Sequence, residues 1–270
     1  MTFAEYFRNH PDFTFQQGLC VQHAFVPPKF VDHYLTLRQE EGRLLADKIV
    51  EQLPAVSGDH PLRDEWLARS KSAEGMVRFL QKRKVDSIME IGCGNGWLTN
   101  YLCRTMGADC CGVDVNGKEL EQAVRIFSRE GNPTFVCGDI LSSAFESCKA
   151  DVIVLASVVQ YFPDLYALLD VLIDRLNPGG EIHVIDSPIY PDHEVDQARK
   201  RSQEYFGING HAEMQEYYHH HTWRSFQRRG YAVLHDPSSV VGRIKRMFAR
   251  ASPFPWVMVP GRDWGGISRL

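Results

Sequence analysis

Three carboxylates in this sequence stand beside glycines where short apolar runs end. Glu90 leads into Gly92-Cys93-Gly94-Asn95-Gly96, Asp114 closes Asp109-Cys110-Cys111-Gly112-Val113-Asp114, and Asp139 closes Thr134-Phe135-Val136-Cys137-Gly138-Asp139. Glycines at 92, 94 and 96 remove side chains at a place where a ligand could approach the backbone closely. A carboxylate at Asp114, 22 residues after Gly92, can accept both hydroxyls of a ribose; its competing role is to cap the following helix. Asp139 taken alone reads as a turn aspartate. The chemistry offered is recognition of a ribose. No G-x-x-x-x-G-K-S/T run is present, so phosphate cradling is not called for. The dinucleotide spacing G-x-G-x-x-G is also missed: the third glycine comes one position early, and Trp97 stands in its place.

The elements that must position these groups alternate strand and helix. Val85 to Ile91 is a buried strand, followed by the glycine turn and a helix carrying Leu98, Tyr101 and Leu102 on one face. Asp109 to Asp114 is a second strand, and Gly117 to Glu130 a helix with Leu120, Val124 and Phe127 inward. Thr134 to Asp139 and the β-branched Asp151 to Ser157 give a third and a fourth strand. Asp164 to Leu176 is helical until Asn177-Pro178-Gly179-Gly180 breaks it, and Glu181 to Asp186 is a fifth strand. Such alternation demands a parallel sheet with right-handed crossovers.

Around this core, residues 1–84 read as a helical N-terminal extension that could act as a lid. Phe30 to Gln52, closed by Pro54, and Leu62 to Gln81 both have helical spacing. Residues 85–270 form the core, with 188–220 as a polar, aromatic, cap-like insertion. His221 to Arg229 suggests a helix stopped by Gly230, and Tyr231 to His235 and Phe254 to Val259 are closing strands. Pro253 and Pro255 suit an edge strand better than a central one.

The order E-x-G-x-G-x-G, backed by Asp114, Gly138-Asp139 and Leu176-Asn177-Pro178-Gly179-Gly180, resembles the motifs of class I S-adenosylmethionine-dependent methyltransferases of the small-molecule type. That resemblance implies an α/β fold: a Rossmann-like, doubly wound, seven-stranded sheet, mostly parallel, with the last strand antiparallel. It implies S-adenosyl-L-methionine as cofactor and S-adenosyl-L-homocysteine as product, with Glu90, Gly92, Cys93, Gly94, Asn95 and Gly96 forming the first part of the site. Glu90 would order the loop and approach the methionine amino group. Asp114, with Val115 beside it, would take the ribose, and Asp139 the adenine amino group, with Ile140 against the ring. Ser157, Val158 and Gln160-Tyr161-Phe162 would line the passage from sulfonium to acceptor, although Tyr161 and Phe162 could equally be core aromatics.

Methyl transfer from a sulfonium is an in-line displacement onto oxygen, nitrogen or carbon, and a hydroxyl or protonated amine also needs a base. The insertion supplies candidates, of which His211 and His221, together with Tyr161, are taken forward as catalytic. Three adjacent histidines, His219-His220-His221, do not converge on one ion from a helix, so no metal site is expected. Net charge of −4 argues against a general nucleic-acid surface, and a small-molecule acceptor bound under the aromatic, histidine-rich cap fits best. The basic stretch Arg243 to Arg250 reads as a solvated amphipathic turn. An RNA- or protein-directed methyltransferase, or a cofactor-binding module without turnover, are the rival readings. The start lacks a basic and an apolar segment of the signal-peptide kind, no run reaches membrane-spanning length, and the seven cysteines contain no C-x-x-C. A cytoplasmic protein with reduced thiols is expected, as a monomer or homodimer.

Overall fold

The computed structural model describes residues 1–128, 132–227 and 230–262. In chain order its elements are α1 (Phe3–Asn9), β1 (Phe13–Gln16), β2 (Leu19–Gln22), α2 (Phe30–Glu40), α3 (Asp47–Val50), α4 (Arg63–Leu80), β3 (Ser87–Ile91), α5 (Trp97–Met106), β4 (Asp109–Asp114), α6 (Gly117–Phe127) and β5 (Thr134–Cys137). They continue with β6 (Ala150–Ala156), α7 (Leu165–Ile173), β7 (Leu176–Ile185), β8 (Ile189–Tyr190), α8 (Val195–Ile208), β9 (His221–Thr222), β10 (Ala232–His235), α9 (Val240–Ala249) and β11 (Trp256–Pro260).

Side chains of the central strands alternate between two cores, as the two-residue period of a strand requires. In β3, Ile88 packs on the α4–α5–α6 side, whereas Met89 and Ile91 pack with α1 and α7. In β6, Val152 and Val154 face the first group and Ile153 and Leu155 the second. A sheet apolar on both faces must be covered on both, which makes the fold doubly wound. Glu90 lies on the same face as Ile88, so its carboxyl is carried under α5. Leu98 and Leu102, fully buried on the inner face of that helix, each contribute about 1.5–3 kcal/mol of apolar burial.

Among the described residues the sheet holds nine strands in the order β1-β2-β5-β4-β3-β6-β7-β11-β10, not the expected seven. Seven of these form the doubly wound core, and β11 does run antiparallel to β7. The two additional strands come from the N-terminal extension, which is therefore not wholly helical. Gln17 and Gly18 both have positive φ, the pattern of a tight hairpin turn, and β2 then adds in parallel to β5. The long helix expected over Phe30 to Gln52 is two helices, because the chain turns at Gly42 with φ +66°. Strand β11 is interior, between β7 and β10; Pro253 and Pro255 precede it and remove no hydrogen bond from the ladder. His221 to Phe226 is a two-residue strand and a 3-10 turn, not a helix. The helix end expected at Glu130, the stretch to Arg229 and the last residues of the core fall outside the described residues. Residues of the basic stretch lie in α9 rather than in a turn. No described helix is long and apolar enough to cross a membrane. All seven cysteines are free and buried.

Gly96 illustrates how tightly α5 is seated. A Cβ there would lie 2.6 Å from Phe135 Cε1 and 2.8 Å from Ala123 Cβ, and the residue has φ +74°. Gly96→Ala should therefore cost about 2–5 kcal/mol from overpacking and left-handed strain combined. A denaturant midpoint equal to that of the wild type would refute this packing role.

Candidate active site

The carboxyl ends of β3, β4, β5 and β6 open on one crevice, where an open α/β sheet holds its ligands. The turn after β3 folds back because Gly92, Gly94 and Gly96 all take positive φ. Their roles differ. A Cβ on Gly92 would strike Val158 Cγ2 at 2.2 Å, and Gly96 packs against Phe135, whereas a Cβ on Gly94 would meet nothing nearer than the carboxyl of Glu119, at 3.4 Å. Gly94 is thus the glycine that borders the crevice most openly, and Gly96 lines no part of it.

Asp114 ties two loops together. Its Oδ2 accepts the Gly94 N–H at 2.8 Å and its Oδ1 accepts the Asn116 N–H at 2.8 Å. The helix-capping role belongs to Asn116, whose side chain accepts from the Glu119 N–H and donates to Glu119 Oε2 at 2.7 Å. Burial raises the Asp114 carboxyl, with the backbone donors acting against it.

The crevice is divided. A cavity of about 440 Å³ is bordered by Asp114, Val115, Asp139, Ile140 and Val158, and closed on its outer side by Phe30 and Tyr34 of α2. A smaller one, about 120 Å³, is bordered by Glu90, Cys93, Asn95, Trp66 and Arg69. Both share Gly92, Gly94, Glu119, Ser157 and Tyr34. Asp139 Oδ1 accepts the Leu141 N–H at 2.9 Å, and Gln22 Oε1 accepts the Asp139 N–H at 2.9 Å, so strand β2 helps to fix this end. Ser157 has φ +55°, a strained conformation for a residue with a side chain, and its hydroxyl donates to the Asp186 carbonyl at 2.9 Å.

Glu90 is 3% exposed and takes a hydrogen bond from Thr99 Oγ1 at 2.5 Å. Burial, outweighing that bond, pushes its carboxyl up to about 8. Burial and the neighbouring Asp114 charge likewise push Glu119 up to about 7. Three acids raised by burial, Glu90, Asp114 and Glu119, thus share one crevice with Asp139. In the smaller cavity Trp66 is buried and its Nε1–H has no hydrogen-bond partner among the described residues, an orphan donor whose desolvation costs about 1–3 kcal/mol until something accepts from it.

Of the catalytic candidates, Tyr161 borders the large cavity and accepts from Arg38 Nη2 at 2.9 Å. His211 and His221 border neither cavity. His211 Nε2 meets Glu40 Oε2 at 2.9 Å, joining the insertion to α2, and His221 Nε2 lies 2.9 Å from the Val159 carbonyl oxygen. No group of His, Cys, Asp and Glu that could hold a metal occurs among the described residues. Sequence reasoning missed Tyr34, Trp66, Arg69 and Glu119. Phe30, Tyr34 and Arg38 recur at four-residue intervals, which places them on one helix face, a signal that was present but does not say what that face covers.

Residues 88–180 match a methyltransferase domain family. The chain is 23% identical over 132 residues to tocopherol O-methyltransferase of Arabidopsis thaliana, covering 48% of this chain and 38% of that one. It is 32% identical over 97 residues to malonyl-[acyl-carrier protein] O-methyltransferase of Priestia megaterium, covering 36% and 35%. The chain therefore spans little more than a third of the length of these relatives. Among solved structures, the plantazolicin methyltransferase BpumL in complex with a triazolic desmethylPZN analog and S-adenosylhomocysteine superposes with TM-score 0.54 over 88% of this chain and all of that one, at 17% identity. At that identity the likeness is one of fold.

The elevated Glu90 carboxyl has a consequence for stability. In the unfolded chain it ionises near 4.5, but in the fold only near 8. Between those values the folded state holds the extra proton, so stability falls as pH rises from about 4.5 to about 8 and then levels. Glu90→Gln should remove that share of the fall. Its unfolding free energy relative to wild type should be more favourable at about pH 8 than at about pH 5; an equal difference at both would refute the buried, neutral carboxyl.

Proposed function

We propose that this chain, which carries a class I methyltransferase domain over residues 88–180, transfers the methyl group of S-adenosylmethionine to a small-molecule acceptor. The observation that carries this reading is Asp114, held by Gly94 N–H and Asn116 N–H on the border of the large cavity. Its carboxylate retains acceptor capacity for two vicinal hydroxyls.

The remaining residues fit such a cofactor along its length. Asp139 and Ile140 border the same cavity as Asp114, and suit an adenine edge and face. Gly94 leaves the backbone uncovered between the two cavities. Glu90, Arg69 and the unpartnered Trp66 Nε1–H line the small cavity and suit the ammonium and carboxylate of an amino acid. S-adenosylmethionine supplies an electrophilic methyl on a sulfonium: the acceptor–carbon bond forms as the carbon–sulfur bond breaks, leaving S-adenosylhomocysteine. The protein's own contribution is alignment and exclusion of water. Phe30, Tyr34 and Arg38 of α2 and Trp66 of α4 supply the outer walls, so the N-terminal segment acts as the lid.

Calorimetric titration with S-adenosylmethionine, with NAD as control, tests the reading. Binding of the first alone is expected. Asp114→Ala should weaken it by about a hundredfold or more, the loss of two charge-assisted hydrogen bonds, and Trp66→Phe by about tenfold while keeping the ring contact with Trp97. Wild-type affinity in Asp114→Ala would overturn the assignment.

A further inference from the structure

A third cavity, of about 270 Å³, adjoins the two just described: it shares Tyr161 with the large one and Arg38 with the small one. Its walls are aromatic, from Tyr190, Tyr205 and Tyr218. Tyr218 stands edge-on to Tyr161 at 6.0 Å and to Phe206 at 5.6 Å, an arrangement that holds these rings in place and gives a further aromatic ring edges and faces to pack on.

Its polar groups are unevenly satisfied. Glu41 is spent: Oε2 accepts from Arg38 at 2.7 Å and from Arg43 at 3.0 Å, and Oε1 accepts from the Tyr205 hydroxyl. Arg201 has no ion pair among the described residues and lies exposed on the cavity's border. At the other extreme Gln160 is 6% exposed; its Nε2 donates to the Ser157 carbonyl at 2.7 Å, while its Oε1 has no donor among the described residues. Ser157 borders both cofactor cavities. The cavity is thus bordered by a cation without an ion pair among the described residues, by tyrosine rings, and by Gln160, whose side chain has an acceptor lacking its donor and is bonded to Ser157 of the crevice.

We propose that this cavity seats the methyl acceptor, and that the acceptor is an aromatic hydroxy acid: its anionic group on Arg201, its ring among the tyrosines, its hydroxyl donating to Gln160 Oε1. The inference rests on the methyltransferase reading above. In the transfer the hydroxyl oxygen bonds to the methyl carbon as the carbon–sulfur bond breaks, and the hydroxyl proton passes to water. Gln160 acts as a positioning residue, orienting a lone pair of that oxygen toward the crevice.

Calorimetry on the protein saturated with S-adenosylhomocysteine tests this with three probes: 4-hydroxybenzoate, its methyl ester and 4-methoxybenzoate. The hydroxy acid should bind, and each analogue should bind about tenfold more weakly, the equivalent of one hydrogen bond or ion pair lost. Arg201→Gln, at an exposed site, should erase the preference for acid over ester and leave the preference for hydroxyl over methoxy. Gln160→Leu should do the reverse. Equal binding of all three probes, or binding of none, in protein that holds S-adenosylhomocysteine would overturn the acceptor class alone. Failure to bind S-adenosylhomocysteine would overturn the methyltransferase reading, and the acceptor class with it.

Discussion

The carboxylate of Asp114 grips two backbone N–H groups at once, one from the glycine turn after β3 and one from its own loop after β4. The rest of the crevice depends on this grip. A turn built on Gly92, Gly94 and Gly96 has little of its own to hold it, since each glycine is free to leave its positive φ. The Asp114 bond sets where Gly94 lies, while Val158 and Phe135 wedge the glycines on either side. The next two strand ends are held in strain as well. Ser157 and Asp186 both have left-handed φ, and the Ser157 hydroxyl spans from one to the other. Strain of this kind persists where the surroundings over-determine the backbone, and here it lines up along one row of strand ends.

The same burial that fixes these groups sets their charge. Asp114, Glu119 and Glu90 are all raised by desolvation, and for Glu90 and Glu119 the Asp114 charge adds to it. A crevice of acids that resist ionisation discriminates by charge. A ligand bringing positive charge and hydroxyl donors lowers the cost of ionising them, and an anionic one raises it. Arg38 and Arg69, paired with Glu41 and Glu65, border the smaller cavity, so the cations of the crevice lie on that side. This polarity suits a sulfonium nucleoside with an amino-acid tail better than a pyrophosphate.

Much of this was legible in the sequence because the core strands carry their own register. Ile88-Met89-Glu90-Ile91 and Val152-Ile153-Val154-Leu155 are apolar on both faces, which only a sandwiched parallel strand requires, and the glycines and acids mark where those strands end. The N-terminal hairpin was not legible. Its strands are four residues each, and Gln17-Gly18 lacks the Asn-Gly or Asp-Gly pair that signals such a turn. Trp66 and Tyr34 were visible as apolar positions of amphipathic helices; that they close the crevice depends on tertiary packing, to which spacing along one chain is blind. His211 and His221 lie away from the two cofactor cavities, which spacing along the chain does not show either. Residue type suggested chemistry, but the fold spends them on a Glu40 contact and a backbone carbonyl.

Helix α2 joins the N-terminal segment to the insertion and to the loop after β6. On one side it lays Phe30 flat against Tyr161 at 5.9 Å and sends Arg38 to the Tyr161 hydroxyl. On the other, Leu37 packs with Phe206 and Met214 of the insertion, His211 meets Glu40, and the Tyr205 hydroxyl reaches Glu41. Arg38 is the pivot: its guanidinium touches Tyr161, lies 5.0 Å from the Tyr34 ring and pairs with Glu41. Tyr161 is thereby braced where the large cavity and the tyrosine-lined cavity adjoin. Displacing α2 to admit a ligand would break these contacts together, so access to the cofactor crevice and the shape of the tyrosine-lined cavity are coupled through one helix.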